Sequence, residues 1–355
     1  VWNEKSEDGG LLIGRNFDFY ANDDFAKNKL VSFIKPQTGF PYMSVTWAGM
    51  IGVSSGMNTE GLTVTINAGK SSIPFRAKTP ISLVALEILQ YASTIEEAIA
   101  IAKDKKVFVS ESLMIGSAKD QQAVLIEISP KKFGVYEVQN QPYLACTNHF
   151  QSSEYQHDKR NNKQIVNSHS VYRFEKLQEQ LSLSEQLNPN KMIQILRDTN
   201  GLKNTKLGFG NEKALNQLLA HHGVVFQPEK RIVWVSSNPY QLGEFTAYDL
   251  NKVFNDSISS FHLNVENLSV AKDPFLLTDE YKNYEKYRVQ IKELEQLIED
   301  KKIIEVEFLE AFIQTNPEYW KTYATVAEYY FQQKEWHQAA NYYKLALTKE
   351  ITTIP

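Results

Sequence analysis

Predicted strands and helices occur in blocks along this chain and do not alternate one by one. The first block contains strands at 11–18 and 44–68, interrupted by glycine and by a turn at 58–61. Later blocks are helices at 79–89 and 93–103, strands at 107–117, 123–129 and 133–138, helices at 170–181 and 189–199, and strands at 223–226, 231–236 and 244–248. Such blocks predict an α+β architecture, with two sheets packed face to face and helices outside, and argue against a doubly wound parallel sheet. Ser93 and Glu96 are the predicted capping box of the second helix.

The last hundred residues differ in composition from the rest. Past residue 250 a polar stretch leads into almost continuous helical sequence at 278–350. Small and aromatic residues there fall at the spacing of one tetratricopeptide-like helix pair: Tyr323, Ala327, Tyr330, Ala339, Tyr343 and Ala346. A plain helical hairpin is an equally good interpretation. We therefore predict two domains, 1–250 and a helical region at 251–355, whose helices would provide a surface for a second copy or a protein partner.

Composition excludes several classes of function. A formal charge of −4 with interspersed acidic and basic residues provides no basic stripe for nucleic acid. No apolar run approaches the roughly 20 residues that cross a bilayer. The single cysteine, Cys146, excludes an intramolecular disulfide and a multi-thiolate zinc site. Because the sequence opens at Val1 and runs directly into strand-like residues, we expect a processed or truncated start; the compartment stays open, with an extracytoplasmic location favoured after removal of a targeting segment.

Four short motifs contain residues suited to chemistry. Gly14 to Phe19 has the sequence GRNFDF, which places Arg15 and Asp18 three residues apart at the end of a strand. Alone, this string is compatible with a strand end at which an arginine and an aspartate pair. Three other strings support it: GMNTEGL at 56–62 continuing to Asn67, TNHF at 147–150 and SVYRF at 170–174.

Together these motifs resemble the choloylglycine hydrolase, penicillin V acylase and isopenicillin N acyltransferase group of N-terminal-nucleophile hydrolases. The resemblance spans residues 11–249, and the order and rough spacing of all four motifs agree. It implies a four-layered αββα sandwich with a helical C-terminal extension. It also implies a cysteine nucleophile that becomes the amino terminus when a precursor is processed, one or two positions ahead of Val1. The sequence departs from the family pattern here, because that nucleophile lies outside it.

The resemblance also implies roles for five side chains. In the family the cysteine's own α-amino group, with a reference pKa of about 7.7 to 8.0, accepts the thiol proton. Asp18 would hold that amine through a hydrogen bond, and Arg15 would add positive charge that favours the thiolate. Asn148 would donate its side-chain amide to the oxyanion, with Asn67 as a second polar group nearby. Arg173 would orient the nucleophile or stabilise developing negative charge.

The expected reaction is hydrolysis of a linear amide bond in a small N-acyl substrate through an acyl thioester. Transfer of the acyl group to an amine acceptor is the first alternative, and an inactive relative that acts as a binding module is the second. No cofactor and no metal are expected. Aromatic residues in the segments 20–25, 40–47 and 73–75 are the predicted walls of a pocket for the acyl chain.

Three other features of the sequence are rival candidates for a site. Cys146 is followed by His149, but its segment LAC is typical of a buried strand, where free cysteine is commonly a small hydrophobe. His221 and His222 are adjacent, and neighbouring side chains on a strand project to opposite faces, which argues against a metal site. The segment 208–210 has the sequence GFG without the helix and third glycine of a nucleotide loop, which indicates a turn.

Overall fold

The computed structural model describes residues 1–72, 78–255 and 263–352. The strands are β1 (Ile13–Phe17), β2 (Lys29–Ile34), β3 (Tyr42–Trp47), β4 (Ser55–Asn58), β5 (Leu62–Ala68), β6 (Glu111–Ser117), β7 (Gln122–Ile128), β8 (Phe133–Tyr136), β9 (His222–Gln227), β10 (Ile232–Ser236) and β11 (Phe245–Asp249). The helices are α1 (Asp23–Lys27), α2 (Ile81–Tyr91), α3 (Ile95–Lys103), α4 (Lys159–Asn167), α5 (Ser170–Leu183), α6 (Pro189–Leu196), α7 (Leu250–Val253), α8 (Asp279–Glu299), α9 (Val306–Thr315), α10 (Trp320–Gln332) and α11 (Trp336–Leu347).

The strands form two antiparallel sheets. One has the order β1-β9-β10-β11, and the other runs β2 to β8 in sequence order. Alternate residues of the second sheet point away from the first and pack under α2 and α3, where Val64, Ile66 and Leu113 meet Val84 and Ile88. Successive side chains of a strand point to opposite faces of the sheet, so one set of alternate residues packs under these helices and the other set faces the first sheet.

A second apolar core lies between the sheets. Ile13, Val224 and Phe226 from the four-stranded sheet meet Met43 and Met57 from the seven-stranded sheet. These residues occupy alternate positions on their strands, so each strand presents one face to the space between the sheets.

Helix α6 covers the outer face of the four-stranded sheet. It lies close to β1 because position 14 is glycine: a Cβ there would stand 2.5 Å from Cγ of Met192. The order of layers is therefore helix, sheet, sheet, helix, and the predicted four-layered αββα sandwich is confirmed.

The capping box of α3 lies one residue later than predicted. Thr94 accepts from the backbone N–H of Glu97, and the Glu97 carboxylate accepts from the backbone of Thr94. Ser93 also donates to that carboxylate, at 3.0 Å. The prediction that paired Ser93 with Glu96 is wrong: the N-cap is Thr94, which has the extended backbone of that position and whose side chain accepts from Glu97.

The chain divides into two compact units, Val1–Arg197 with Leu219–Ala271, and Asp198–Leu218 with Lys272–Pro355. The first unit contains both sheets. In the second, α10 and α11 pack with Ala327, Ala339 and Ala346 buried, and the rings of Tyr330 and Tyr342 stack 5.5 Å apart. The domain boundary at 250 and the tetratricopeptide-like character of this pair stay predictions. None of the helices in the described ranges is both long and apolar enough to span a membrane.

Candidate active site

Arg15 lies on the inner face of β1, between the two sheets. Its Nη1 donates to the carbonyl of Ser54 at 2.8 Å and to the hydroxyl of Ser55, and its Nη2 donates to the carbonyl of Ile66. The guanidinium carbon stands 4.4 Å from the centre of the Phe17 ring. Three acceptors and an aromatic face hold the side chain in one orientation, so Arg15 is a fixed charge in the interior.

Burial lowers the pKa of Arg15 to about 9, and the ionised forms of Asp18, Cys146 and Glu111 act in the opposite direction. The guanidinium therefore remains protonated at neutral pH. A buried group that is positive at neutral pH raises the stability of any anion that forms nearby, because few water molecules compete with it.

A buried polar chain continues from Arg15 through Ser55 to two histidines. The Ser55 hydroxyl lies 2.8 Å from Nε2 of His222, whose Nδ1 lies 2.8 Å from Nδ1 of His221. Burial lowers the pKa of His221 to about 4 and that of His222 well below its ordinary value, so both rings are neutral at pH 7.

The expectation that these two histidines project to opposite faces is wrong. His221 precedes the first residue of β9, so the alternation of a strand does not apply to it. Over the described ranges of the chain, no group of three or more histidine, cysteine, aspartate or glutamate side chains is arranged to hold a metal ion.

Asp18 follows the last residue of β1 and is accessible to solvent. Burial nevertheless raises the pKa of its carboxyl to about 6, while Arg173 and, less strongly, Arg15 lower it. These two properties agree if the carboxyl lies in a recess, where water reaches it from one direction and protein surrounds it on the others. Asp18 therefore changes charge within the range in which many hydrolases operate.

Asn148 and Arg173 are in direct contact. Nη2 of Arg173 donates to Oδ1 of Asn148 at 2.7 Å, and Nδ2 of Asn148 donates to the carbonyl of Ala68 at 3.3 Å. An asparagine amide nitrogen carries two hydrogens, and in the described part of the chain only the Ala68 carbonyl accepts from this one. Asn148 is only half-buried, so this second N–H is available to a substrate oxygen.

Asn67 occupies the end of β5 between two residues that contact the others. The carbonyl of Ile66 accepts from Arg15, and the carbonyl of Ala68 accepts from Asn148. Because Ile66 faces the outer helical layer, Asn67 lies on the opposite face of the strand, towards the four-stranded sheet.

The structure thus brings the five predicted site residues together around the end of β5. Arg15 and Asn148 donate hydrogen bonds to backbone carbonyls of this strand, and Asn67 is part of it. Arg173 donates a hydrogen bond to Asn148, and the charges of both arginines lower the pKa of Asp18. Their catalytic roles stay predictions.

Cys146 has the properties of an inert thiol. Burial raises its pKa to about 12, and the charge of Glu127 acts in the same direction against a smaller effect of Arg15. Its Sγ points to the carbonyl of Thr147 at 3.4 Å, while His149 bonds to hydroxyl groups. A thiol that stays protonated at neutral pH is a poor nucleophile, which argues against Cys146 as the nucleophile.

Sequence reasoning missed polar groups that other strands bring to this region. Glu111 begins β6 opposite Ala68, and burial raises the pKa of its carboxyl to about 7 against the charge of Arg15. Ser55 bonds to Arg15 from β4. The only signal for Glu111 is a lone carboxylate at the start of an otherwise apolar strand, and Ser55 gives none.

Aromatic side chains cluster beside Asp18. Trp47 stacks on Phe17 and Phe19, with ring centres 5.8 and 6.2 Å apart, and meets the edge of Phe25 at 5.0 Å. Phe19 is 54% exposed, so the cluster presents an apolar surface to solvent. These residues include part of the predicted acyl-pocket walls; the predicted wall at 73–75 lies outside the described residues.

Comparisons with known proteins give a family match, a sequence relative and several similar structures. The model of the family described as acyl-coenzyme A:6-aminopenicillanic acid acyl-transferase matches residues 2–239. An uncharacterized protein of Archaeoglobus fulgidus is 26% identical over 137 residues, which are 38% of this chain and only 23% of the length of that relative.

Among solved structures, the N-acylethanolamine-hydrolyzing acid amidase ortholog of Caenorhabditis elegans has a TM-score of 0.46 at 17% identity, covering 64% of this chain and 91% of the other. Two variants of conjugated bile acid hydrolase from Clostridium perfringens have TM-scores of 0.42 and 0.44 at 12% and 13% identity, each covering 70% of this chain and 91% of the other.

Proposed function

Because the chain belongs to the acyl-coenzyme A:6-aminopenicillanic acid acyl-transferase family, we propose that it cleaves a linear amide bond with a cysteine that becomes the amino terminus on precursor processing. The observation that carries this proposal is the convergence of Arg15, Asp18, Asn148 and Arg173 at one end of the sheets. An aspartate, an amide donor and two guanidinium groups suit a thiol nucleophile whose base is its own amine.

The backbone around Val1 supports a nucleophile just upstream. Val1 and Leu12 exchange two backbone hydrogen bonds of 2.9 Å each, as opposite residues of an antiparallel pair do. Continued in the same register, the two preceding residues would stand opposite Ile13 and Gly14. Because β1 is the edge strand of its sheet, this side of it can accept such a continuation beside Arg15.

The reaction would then proceed in two halves. The α-amine takes the thiol proton, and the sulfur attacks the amide carbon while the carbonyl oxygen becomes an oxyanion that accepts an N–H from Asn148. Collapse of this intermediate breaks the C–N bond, the α-ammonium protonates the departing amine, and an acyl thioester remains. Water, deprotonated by the same amine, attacks the thioester and releases the acid and the thiol.

Two side chains would prepare this chemistry before the substrate arrives. Asp18 would accept a hydrogen bond from the α-amine, and Arg173 would hold the Asn148 amide with its nitrogen towards the substrate. One oxyanion donor typically contributes about 3 kcal/mol to lowering the barrier.

Hydrolysis is preferred to acyl transfer because Asp18 is exposed and Asn148 is only half-buried, so water reaches both. The description of the family favours transfer to an amine as the second candidate. The two reactions share the thioester and differ only in which acceptor reaches it.

The test starts from the full-length gene product. Mass measurement of the mature protein identifies its leading residue, and a panel of N-acyl amides, incubated with and without an added amine, identifies the product. We expect a leading cysteine, free acid as product, and a loss of kcat of about 100-fold in Asn148→Ala.

A matched control is Asn162→Ala, an exposed asparagine on α4, which should leave kcat unchanged. A leading residue without a nucleophilic side chain would overturn the proposal in favour of a binding module. An N-acylated amine as the main product would replace hydrolysis by acyl transfer.

A further inference from the structure

Three buried side chains form a hydrogen-bonded cluster next to the Asn148 amide. The hydroxyls of Thr147 and Ser170 lie 3.0 Å apart, and Nδ1 of His149 lies 2.8 Å from the Ser170 hydroxyl and 3.2 Å from that of Thr147. The Thr147 hydroxyl also donates to the backbone carbonyl of Ser170 at 3.0 Å. All three residues are less than 10% exposed, so water does not compete for these bonds.

The distances fit a single order of donors. Nδ1–H of His149 donates to Ser170, the Ser170 hydroxyl donates to Thr147, and the Thr147 hydroxyl donates to the carbonyl of Ser170, so each hydrogen is used once. This order follows from heavy-atom distances and needs the Nδ1–H form of the ring. Burial and the charge of Arg173 lower the pKa of His149, which keeps its imidazole neutral at pH 7.

The cluster joins the loop that contains Asn148 to the helix that contains Arg173. Ser170 is the first residue of α5, and Arg173 and Phe174 follow three and four positions later on the same helix face. Along the loop, Thr147 bonds to Ser170 and Asn148 to Arg173. The ring of His149 meets Phe174 edge to face at 5.4 Å. Three successive loop residues therefore contact one face of the first helical turn.

We propose that Thr147, His149 and Ser170 are positioning residues that fix the Asn148 amide and the Arg173 guanidinium relative to each other. This inference rests on the proposed function, in which the Asn148 N–H must be aimed at the oxyanion before the reaction starts. A shift of about 1 Å in such a donor costs as much as 100-fold in rate. Small hydroxyls and one ring nitrogen provide rigidity here because they leave few rotamers open once they are bonded.

The first test removes one hydroxyl without changing the shape of the site. Thr147→Val deletes the hydroxyl and keeps the branched side chain, whereas Thr147→Ser keeps the hydroxyl. We expect kcat to fall about tenfold in Thr147→Val with KM changed less than twofold, and to stay within twofold of wild type in Thr147→Ser. Ser170→Ala should behave like Thr147→Val, and Ser182→Ala, an exposed hydroxyl on the same helix, should have no effect.

The second test asks whether the cluster acts through Asn148. In an Asn148→Ala background, Ser170→Ala should lower kcat no further, because the group that it positions is gone. A further loss equal to that in the wild-type background would overturn the proposal and leave a general structural role.

A third measurement does not depend on activity. Crystal structures of Thr147→Val and Ser170→Ala should show the 2.7 Å contact between Arg173 and Asn148 lengthened or lost. An unchanged contact in both variants would overturn the positioning role. If the wild-type protein cleaves no N-acyl amide, the proposed function fails, and these structures still decide whether the cluster fixes the pair.

Discussion

The charge of Arg173 should control the protonation of Asp18. Burial raises the pKa of the Asp18 carboxyl to about 6, and Arg173 is the strongest of the charges that lower it. Arg173→Gln removes this charge while keeping an amide that can donate to Asn148. Arg173→Lys keeps the charge and changes the geometry of the donor, so the two variants separate electrostatics from hydrogen bonding.

The expected change in the pKa of Asp18 follows from the nearness of the Arg173 charge to its carboxyl. Removing a nearby opposite charge raises a carboxyl pKa by about one unit or more, which moves Asp18 from about 6 to about 7. At pH 7 the ionised fraction would then fall from about nine-tenths to about one-half.

Carbon-13 NMR of protein labelled at aspartate side chains measures this titration directly, with Asp18→Asn used to assign the signal. The acid limb of kcat/KM should move to higher pH in the same variant, because protonated Asp18 cannot accept the hydrogen bond of the α-amine. An Asp18 titration that is identical in Arg173→Gln and wild type would refute the reasoning. An equal shift of the Asp18 pKa in Arg173→Lys would also refute it.

Three further predictions follow from burial. The folded state raises the pKa of Asp18 from 3.8 to about 6, so ionised Asp18 opposes folding above that pH and has no effect near pH 4 and below. Urea titrations of Asp18→Asn should therefore give an unfolding free energy about 1 kcal/mol above wild type at pH 8, a value limited by solvent screening, and the gain should vanish towards pH 4. Because burial keeps the Cys146 thiol protonated, Cys146→Ala should keep at least half of the wild-type kcat, and iodoacetamide should leave Cys146 unlabelled in the folded protein. A tenfold loss of kcat would instead make this thiol the nucleophile. Ala339 is buried between helices, so Ala339→Leu should lower the unfolding free energy of the helical unit by about 1–3 kcal/mol in urea denaturation, whereas the same change at the exposed Ala340 should not. Equal effects of the two variants would contradict tight packing of α10 on α11.

The sequence was sufficient for the family and the layers. Four motifs in a fixed order pointed to the hydrolase group that the family match then confirmed. The blocks of strands and helices predicted two sheets with outer helices, as observed. Alternation of apolar residues is a local signal, since it records which face of each strand is buried.

Helix α4 and strand β2 are among the elements that the sequence did not predict, because tertiary contacts stabilise them. Helix α4 is strongly polar and contains few apolar residues; Asp158 caps it, and the Asn161 side chain pairs with both backbone groups of Phe150. Strand β2 owes its place to pairing with β3 along its whole length. Neither partner can be identified from the segment itself.

The sequence by itself determined which residues could do chemistry, because a motif fixes residue types at short spacing. Only the tertiary structure decided what surrounds them: that Arg15 bonds to β4 and β5, that His221 meets His222, and that Ser170 holds the loop of Asn148. A buried polar group must find a partner, yet nothing in its neighbours along the chain says which distant segment provides it. The pKa of Asp18 is set in the same way, by protein mass and arginines brought close only when the sheets pack.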